Sequence, residues 1–318
     1  MGVYALHGHR IAGVWQVREG ATESNRVNSA LRGISSRLVS GIVPAMSSAS
    51  TAPKPAALPP LLGPGDPPPV TVLNREGRAP LLLVCDHASN AMPASLGTLG
   101  VDDEALSRHI AWDIGAADVT RALVERYDAS AVLSGYSRLI IDLNRDLEDP
   151  TLIPVISDGV VVPANRTLDP AEVAQRVDEL FWPYQTTVGA EVDRLIERGQ
   201  VPAIVSIHSF TPAMRGIERP WHIGILWDQD PRMAVPVIEH LRRDPRLIVG
   251  DNEPYTGRET EGSTMDRHAT RQGLPHLLVE IRQDLIETPE TAIEWADILG
   301  RALDEVVADP ALYRIQHF

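Results

Sequence analysis

Two histidines in this sequence follow short apolar runs and have carboxylates close by in the chain. His87 lies in the string Cys85-Asp-His-Ala-Ser-Asn, and His208 lies in Ser206-Ile-His-Ser-Phe. Two imidazoles and one carboxylate form a common open zinc site, which leaves a coordination position for water. The metal in such a site lowers the pKa of that water and polarises a carbonyl oxygen. The two histidines therefore indicate metal-assisted hydrolysis as one chemistry open to this chain.

A glutamate and several arginines stand at similar positions. Glu280 ends an apolar run, and Arg138 precedes the string Asp142-Leu-Asn-Arg145. A carboxylate beside a metal would take the proton of the attacking water and pass it to a leaving amine. Arginines would hold a substrate carboxylate through bidentate hydrogen bonds. The residue types alone leave these roles open, because a lone histidine after a strand is commonly a structural hydrogen-bonding residue.

Three further residues could line the same site. His222 follows Pro220-Trp221, and Asn252 and Tyr255 lie in a loop bounded by glycine and proline. Such a loop could close over a substrate, with Tyr255 donating a hydrogen bond to an oxyanion. Asp-Asn and Glu-Pro are also turn formers, and His222 fits a core position equally well. His268 also could reach the site, but we expect a surface histidine there.

Short apolar runs alternate with longer helical patterns and would position these residues. The runs predict strands over residues 80–85, 130–134, 138–143, 203–207, 221–226 and 276–281. Helical patterns cover residues 103–127, the segment opened by Asp169-Pro170, and the segment opened by Thr288-Pro289. This alternation predicts an α/β domain with a mainly parallel or mixed sheet covered on both faces. Sites in such folds gather at the carboxyl ends of strands.

Composition excludes several classes of protein. The chain of 318 residues has 29 Lys and Arg against 43 Asp and Glu, a formal net charge of -14. Nucleic-acid binders usually need a basic face, so we expect no nucleic-acid partner. A single cysteine excludes an intrachain disulfide and a Cys-only zinc site. No run approaches the roughly eighteen apolar residues of a membrane span, so we expect a cytoplasmic protein without a membrane partner.

The first 69 residues differ in composition from the rest. Residues 1–45 contain five arginines and two acids, and a stretch rich in serine, alanine and proline follows. Such a composition buries too little apolar surface to offset the ordering of the chain. We therefore predict a disordered or non-native extension over residues 1–69 and a catalytic domain over residues 70–318. Two alternatives are a transit-like targeting leader and a physiological start at Met46.

Several strings, in order over roughly residues 80–305, resemble the N-formylglutamate amidohydrolase family. They are Cys85-Asp-His-Ala-Ser-Asn, Trp112-Asp-Ile-Gly-Ala, Ser137-Arg138, Asp142-Leu-Asn-Arg145, Ser206-Ile-His-Ser-Phe210, Asp251-Asn-Glu-Pro-Tyr255 and Glu280-Ile-Arg-Gln-Asp284. The Asp-Leu-Asn-Arg string and the separated histidines are also similar to zinc carboxypeptidase and aspartoacylase relatives. The resemblance implies a three-layer phosphorylase/hydrolase-like α/β fold, with a mixed central sheet covered by helices on both faces. It also implies metal-dependent amide hydrolysis.

The resemblance carries over residue by residue. It implies that His87 and His208 bind the metal and that Glu280 is the general base. It further implies that Arg138 stabilises the oxyanion while Asn144 and Arg145 bind the substrate carboxylate. Zinc carboxypeptidase relatives have a glutamate three residues after the first histidine, where this sequence has Asn90. Since an amide is a poor zinc ligand, we expect the carboxylate ligand to be Asp113, with Asp86 as the second choice.

The sequence thus predicts a hydrolase that uses zinc or another divalent metal. Its expected substrate is N-formyl-L-glutamate or a related small anionic N-acyl amino acid, and the family implies histidine degradation. One alternative is a cysteine-dependent amidohydrolase with Cys85 as nucleophile. Another is a non-catalytic protein that binds an acidic metabolite, which Asn90 would favour.

Overall fold

Seven strands form one mixed sheet at the centre of the structure, a computed structural model that describes residues 58–258 and 261–318. The described residues form eleven strands, seven of them in this sheet: β1 (Val70–Leu73), β2 (Leu81–Cys85), β3 (Ser130–Ser134), β4 (Ile156–Ser157), β5 (Val160–Val161), β6 (Ala203–Phe210), β7 (Ala213–Met214), β8 (Ile217–Glu218), β9 (Ile223–Leu226), β10 (Val249–Asp251) and β11 (His276–Arg282). The sheet order is β1-β3-β2-β6-β11-β9-β10, while β4-β5 and β7-β8 form separate short hairpins. Strands β3, β2, β6 and β11 are parallel, so their carboxyl ends meet at one edge of the sheet.

Helices connect and cover the strands. They are α1 (Asp103–Ser107), α2 (Ala116–Tyr127), α3 (Pro170–Arg176), α4 (Trp182–Glu197), α5 (Pro231–Leu241), α6 (Thr264–His268) and α7 (Pro289–Val307), and one π-helical turn (Val177–Phe181) joins α3 to α4. Asp169 caps α3 by accepting hydrogen bonds from two backbone amides of its first turn, and Thr288 caps α7 by accepting from the Thr291 amide. The helix starts predicted at both positions are confirmed.

Both faces of the sheet are buried, which the residues of β2 show directly. Leu81 and Leu83 pack into one cluster with residues of α2, α5 and α7. Leu82 and Val84 pack into a second cluster with residues of α4 on the opposite face. This two-sided burial confirms the predicted layers, because successive strand residues point to opposite faces. Within the described residues, no helix combines the length and apolarity needed to cross a bilayer.

The strand predicted over residues 138–143 is wrong, because this segment makes turns beside the sheet. Its apolar side chains are nevertheless buried, and its carbonyl groups still need hydrogen-bond donors. Side chains of other segments provide them: Asn165 Nδ2 donates to the Leu139 oxygen at 2.8 Å, and Arg176 Nη1 donates to the Ile140 oxygen at 2.9 Å. Residues 138–143 can therefore be buried without pairing to a strand.

The single helix predicted over residues 103–127 is also wrong, because α1 and α2 are separated by residues 108–115. Gly115, with φ of 79°, precedes α2, and a Cβ atom there would lie 2.1 Å from the Ile286 oxygen. Only glycine fits this close approach. The interruption carries Asp113, whose amide donates to the His87 oxygen at 2.9 Å. The break thus brings Asp113 to the carboxyl end of β2.

Of the predicted extension, the structure describes only residues 58–69, and these contact the domain. Leu61 is buried, and its amide donates to a Glu179 carboxylate oxygen at 2.9 Å. The boundary between residues 69 and 70 stays a prediction. The leader and start-site alternatives at Met46 lie outside the described residues.

Candidate active site

The candidate site lies at the edge where β2, β6 and β11 end, on the face of the sheet that packs against α4. Asp86 follows β2, His208 lies near the end of β6, and Glu280 lies near the end of β11. In the register of the sheet, Glu280 is directly opposite His208 on one side and Gly224 on the other. Neighbouring residues in this register share a face, so the two side chains project together.

The predicted metal ligands converge. His87, Asp113 and His208 each offer one ligand atom, and these atoms all lie within 4.8 Å of one another. Asp113 Oδ2 is 2.7 Å from His208 Nδ1 and 3.3 Å from His87 Nδ1. All three residues are buried, with at most 3% of their surface exposed. Three separate segments of the chain therefore form one compact group of two imidazoles and a carboxylate.

The far nitrogen of each imidazole faces another aspartate. His87 Nε2 lies 2.7 Å from Asp142 Oδ1, and His208 Nε2 lies 3.0 Å from Asp86 Oδ2. Metal-binding histidines commonly donate their second N–H group to a carboxylate, which fixes the tautomer and the orientation of the ring. Asp113 therefore lies between the two Nδ1 atoms, whereas Asp86 lies on the other side of the His208 ring, at Nε2. Asp142 was not singled out from the sequence, although its Asp-Leu-Asn-Arg string offered a signal.

Carboxylates around the imidazoles favour positive charge at the centre of this group. Burial lowers the pKa of His208, but hydrogen bonds and charges from Asp113 and Asp86 raise it well above its usual value. The pKa of His87 is also raised, since Asp142 and Asp113 outweigh the effects of burial and of Arg138. A bound cation could take the place of these protons, because metal ligands must be deprotonated.

Glu280 differs from the aspartates because it has an unused oxygen. Its side chain is buried, and Oε2 has no hydrogen-bond partner in the part of the chain that the structure describes. Burial raises the pKa of Glu280 to about 7, with the Asp113 charge acting in the same direction and His208 and Arg138 against it. A carboxyl group of this kind can take up and release a proton near neutral pH.

Arg138 connects the aspartates at the edge of the site. Its Nε and Nη2 atoms donate to Asp142 Oδ2 at 3.0 and 2.6 Å, and Nη1 lies 3.5 Å from Asp113 Oδ1. The guanidinium group is therefore held in a fixed orientation against two carboxylates. Arg138 thus lies next to the candidate metal ligands, while its contact with a substrate stays a prediction.

Asn144 and Arg145 follow Asp142 and lie at the same edge. Asn144 Oδ1 accepts a hydrogen bond from the Thr264 amide at 3.0 Å. Arg145 is more exposed, with Nη1 at 3.3 Å from Asp149 Oδ2 and Nε at 3.8 Å from Asp142 Oδ2. The structure thus brings both residues next to the site, while their binding of substrate stays a prediction.

Tyr255 reaches the site because the loop after β10 folds back onto the sheet. A Cβ atom on Gly224 would lie 1.9 Å from the Glu253 oxygen, so only glycine leaves room for this loop. Gly224 is the register neighbour of Glu280. Burial raises the pKa of the Tyr255 phenol, and the Glu280 charge adds to this effect. Tyr255 therefore lies within electrostatic reach of Glu280.

Asn252 and His222 have backbone partners instead. Asn252 Oδ1 accepts hydrogen bonds from the amides of Trp227 at 3.1 Å and Gly257 at 2.8 Å, and the second bond closes the turn that contains Tyr255. His222 Nδ1 accepts from the Ile248 amide at 2.9 Å. No hydrogen bond among the described residues joins either side chain to the histidine-aspartate group. Direct substrate binding by either residue stays a prediction.

Cys85 is fully buried at the end of β2. Burial raises the pKa of its thiol well above the usual value, and the charges of Asp113 and Asp86 raise it further. The thiolate is the nucleophilic form of cysteine, so this environment disfavours Cys85 as a nucleophile.

Comparison with known proteins gives one family and two informative structures. The N-formylglutamate amidohydrolase family model matches residues 79–287. The gene product Atu2144 from Agrobacterium tumefaciens is 35% identical, with a TM-score of 0.74, over 77% of this chain and 99% of that chain. The N-formylglutamate amidohydrolase from Ralstonia eutropha JMP134 is 21% identical, with a TM-score of 0.56, over 76% of this chain and 97% of that chain. No curated protein matches this sequence.

Proposed function

Because this chain belongs to the N-formylglutamate amidohydrolase family and is a hydrolase of amide bonds, we propose that it cleaves N-formyl-L-glutamate or a related small N-acyl amino acid. The products would be formate, or the corresponding acid, and the free amino acid. From what the family implies, we place this reaction in histidine degradation. We place the protein in the cytoplasm, where a single buried cysteine would stay reduced.

We propose that His87, Asp113 and His208 hold a divalent metal, with zinc as the first choice. The observation that carries this proposal is the pairing of the imidazoles: both Nδ1 atoms face Asp113 Oδ2, and both Nε2 atoms face outer carboxylates. Two imidazole nitrogens and one carboxylate oxygen suit zinc in number and type and leave a position open. When bound, the metal would lower the pKa of a water and polarise the scissile carbonyl.

Glu280 would move the proton. Its Oε2 atom, which has no hydrogen-bond partner among the described residues, would accept the proton of the attacking water and then return it to the amine nitrogen as the amide bond breaks. A pKa of about 7 suits both steps, because the group must be ionised first and protonated afterwards. Removal of the carboxylate would stop this transfer without removing a metal ligand.

The surrounding side chains would bind and orient the substrate. Arg138, fixed by Asp142, donates to the carbonyl oxygen as negative charge develops on it. Asn144 and Arg145 bind the α-carboxylate at the same edge of the sheet. Tyr255 would cover the bound substrate, and the hydrogen bond from the Gly257 amide to Asn252 fixes the turn that carries it. His222, which accepts a hydrogen bond from the Ile248 amide just before β10, completes the proposed substrate-binding set.

The test is an amide-hydrolysis assay on protein of known metal content. We expect release of formate from N-formyl-L-glutamate, loss of this activity with a chelator, and recovery on addition of zinc. The variant Cys85→Ser should keep its activity, because the thiol takes no part in the reaction. Failure of the metal-loaded protein to hydrolyse any N-acyl amino acid, or activity that persists after removal of the metal, would contradict the proposal.

A further inference from the structure

Arg219 lies at the edge of the site and has no role in the reaction described so far. It follows the β7–β8 hairpin, which connects β6, the strand of His208, to β9. The Arg219 amide donates to the Pro212 oxygen at 2.8 Å and closes the base of this hairpin. The hairpin therefore leaves and returns at the edge of the sheet where the site is built.

The guanidinium group of Arg219 is held by rings and weak acceptors. It lies over the Tyr255 ring at 4.8 Å from the centroid, and Nη1 donates to the Tyr255 hydroxyl at 2.9 Å. The Phe210 ring is 6.0 Å away. Nη2 donates to the sulfur of Met214 at 3.0 Å, and a thioether is a weak acceptor. A strong donor thus points at a partner that a carboxylate oxygen could readily replace.

The other arginines of the site each have a carboxylate of this chain as a partner. Arg138 makes two hydrogen bonds to Asp142, and Arg145 lies 3.3 Å from Asp149. Arg219, in contrast, has no carboxylate within ion-pair distance among residues 58–258 and 261–318. Its positive charge is therefore not paired with a carboxylate of the described residues and could bind an anion next to Tyr255.

Two neighbours place this charge close to the reacting groups. Tyr255, which stacks on Arg219, is also influenced by the charges of Glu280 and Arg138. The half-buried His109 has a lowered pKa, mainly from burial, and the charges of both Arg138 and Arg219 contribute to lowering it. The charges of both guanidinium groups thus act on the same imidazole and the same phenol. Arg138 and Arg219 therefore both lie near Tyr255 and His109.

We propose that Arg219 and the Tyr255 hydroxyl form a subsite for a second carboxylate, the side-chain carboxylate of an acidic N-acyl amino acid. This inference rests on the proposed function, in which Asn144 and Arg145 hold the α-carboxylate. The planar guanidinium offers two parallel N–H donors to the carboxylate, and the Tyr255 hydroxyl offers a third. Arg219 is then the residue that selects glutamate-like and aspartate-like substrates over neutral ones.

The test compares N-formyl-L-glutamate with its neutral isostere, N-formyl-L-glutamine, in the wild type and in Arg219→Met. We expect kcat/KM for the glutamate substrate to fall about 10- to 100-fold, the usual range for loss of a charged hydrogen-bond pair, and mostly through KM. The glutamine substrate should change less than about threefold, because its side chain lacks the charge. Arg215→Met removes the same charge from the same hairpin and should leave both substrates unchanged.

A binding measurement separates this inference from the proposed function. Calorimetric titration with N-formyl-L-glutamate and N-formyl-L-glutamine uses proteins that also carry Glu280→Gln, so that neither ligand is cleaved. It should show a preference for the former with the native Arg219 and with Arg215→Met, and its loss with Arg219→Met. Equal weakening of both ligands, or no change in either, would overturn the role of Arg219. If the wild type bound both ligands and cleaved neither, the proposed function would fail while the titration still decided the subsite.

Discussion

The two edges of the sheet each bury a histidine beside acids and an arginine, but the partners differ. At the carboxyl edge, His208 has Asp113 on one ring nitrogen and Asp86 on the other. At the amino edge, His276 has the Leu274 oxygen on Nδ1 and the Thr270 hydroxyl on Nε2. Burial lowers the pKa of His276, whereas the two aspartates raise that of His208 despite its burial. Neutral partners leave a buried imidazole uncharged, whereas carboxylate partners favour a positive charge on or beside the ring.

The arginines show the same contrast. Arg232 at the amino edge uses Nε and Nη2 on Asp230, and it donates to the Gly273 oxygen at 3.0 Å and to the Arg314 oxygen at 2.5 Å. Its guanidinium lies 5.5 Å from the Phe318 ring centroid. These contacts tie the end of the described chain to the domain. Arg219 at the other edge donates to a phenol oxygen and a thioether sulfur, which a carboxylate could replace. The strength of the partners, rather than the charge of the arginine, therefore distinguishes the two edges.

The largest expected effect is on catalysis at the carboxyl edge. Glu280→Gln should lower kcat by about 10²- to 10⁴-fold, because the amide cannot accept the proton of the water. Metal content should stay at the wild-type value, since Glu280 lies outside the ligand group. Parallel assays of formate release and of metal by mass spectrometry check this result. Loss of the metal together with activity would make Glu280 a ligand instead.

The next effect is on stability at the amino edge. Arg232→Met should lower the free energy of unfolding by roughly 3 kcal/mol, because it removes the buried ion pair of Asp230 and one side-chain donor from each of the Gly273 and Arg314 carbonyl groups. Denaturant titration measures this change, and kcat of the remaining folded protein should be unaltered. Arg246→Met is the control, since that residue makes its ion pair on the surface and should cost little. Equal losses in both variants would contradict the structural role of Arg232.

A smaller effect, on metal affinity, is expected from changes to the aspartates at the two edges. Asp142→Asn should weaken metal affinity about 10- to 100-fold, because the outer carboxylate of His87 is lost while the three ligands remain. Competition with a fluorescent chelator measures this affinity. Asp230→Asn, the matched change at the amino edge, should alter stability and leave metal affinity as it is. An unchanged affinity in Asp142→Asn would show that the outer carboxylates do not support the ligands.

The smallest effect concerns His268, which lies half-buried against α4 rather than at the surface as expected from the sequence. Its Nε2 is 2.7 Å from Gln185 Oε1, and burial lowers its pKa to about 4. The unfolded chain, with a histidine pKa near 6.5, binds the proton more readily. His268 therefore costs no stability above about pH 6.5, and stability falls as the pH drops toward 4.

The size of this pH effect can be measured. Between pH 7 and pH 5.5, His268 should reduce the free energy of unfolding by about 1 kcal/mol, and His268→Gln should remove this part of the pH dependence. Denaturant titrations of both proteins at the two pH values give the difference. An identical pH dependence in the variant would show that His268 is accessible to protons in the folded state.

Local signals explain how much of the fold was predictable. The apolar runs of β2, β3, β6 and β11 and the caps at Asp169 and Thr288 depend on neighbouring residues, and the structure confirms them. The segment 138–143 failed as a strand because its carbonyl groups bond to Asn165 and Arg176, which lie distant in the sequence. Gly115 interrupts its helix because of a contact with residue 286. Neither contact leaves a local pattern.

The convergence of three candidate ligands was predictable from the sequence, but their arrangement was not. His87, Asp113 and His208 followed from residue type and from the family resemblance, and the structure brings them together. The outer positions of Asp142 and Asp86 depend on ring orientation, which no spacing in the sequence specifies. Arg219 lacked a motif, because its importance comes from the ring of Tyr255 and from the absence of an acid within reach among the described residues.

The central claim is a divalent metal held by His87, Asp113 and His208, and the metal content of freshly purified protein tests it most directly. Mass spectrometry should find about one metal ion per chain in the wild type and in His276→Gln, and almost none in His208→Ala. A wild type without stoichiometric metal, or a His208→Ala variant that retains it, would contradict the account.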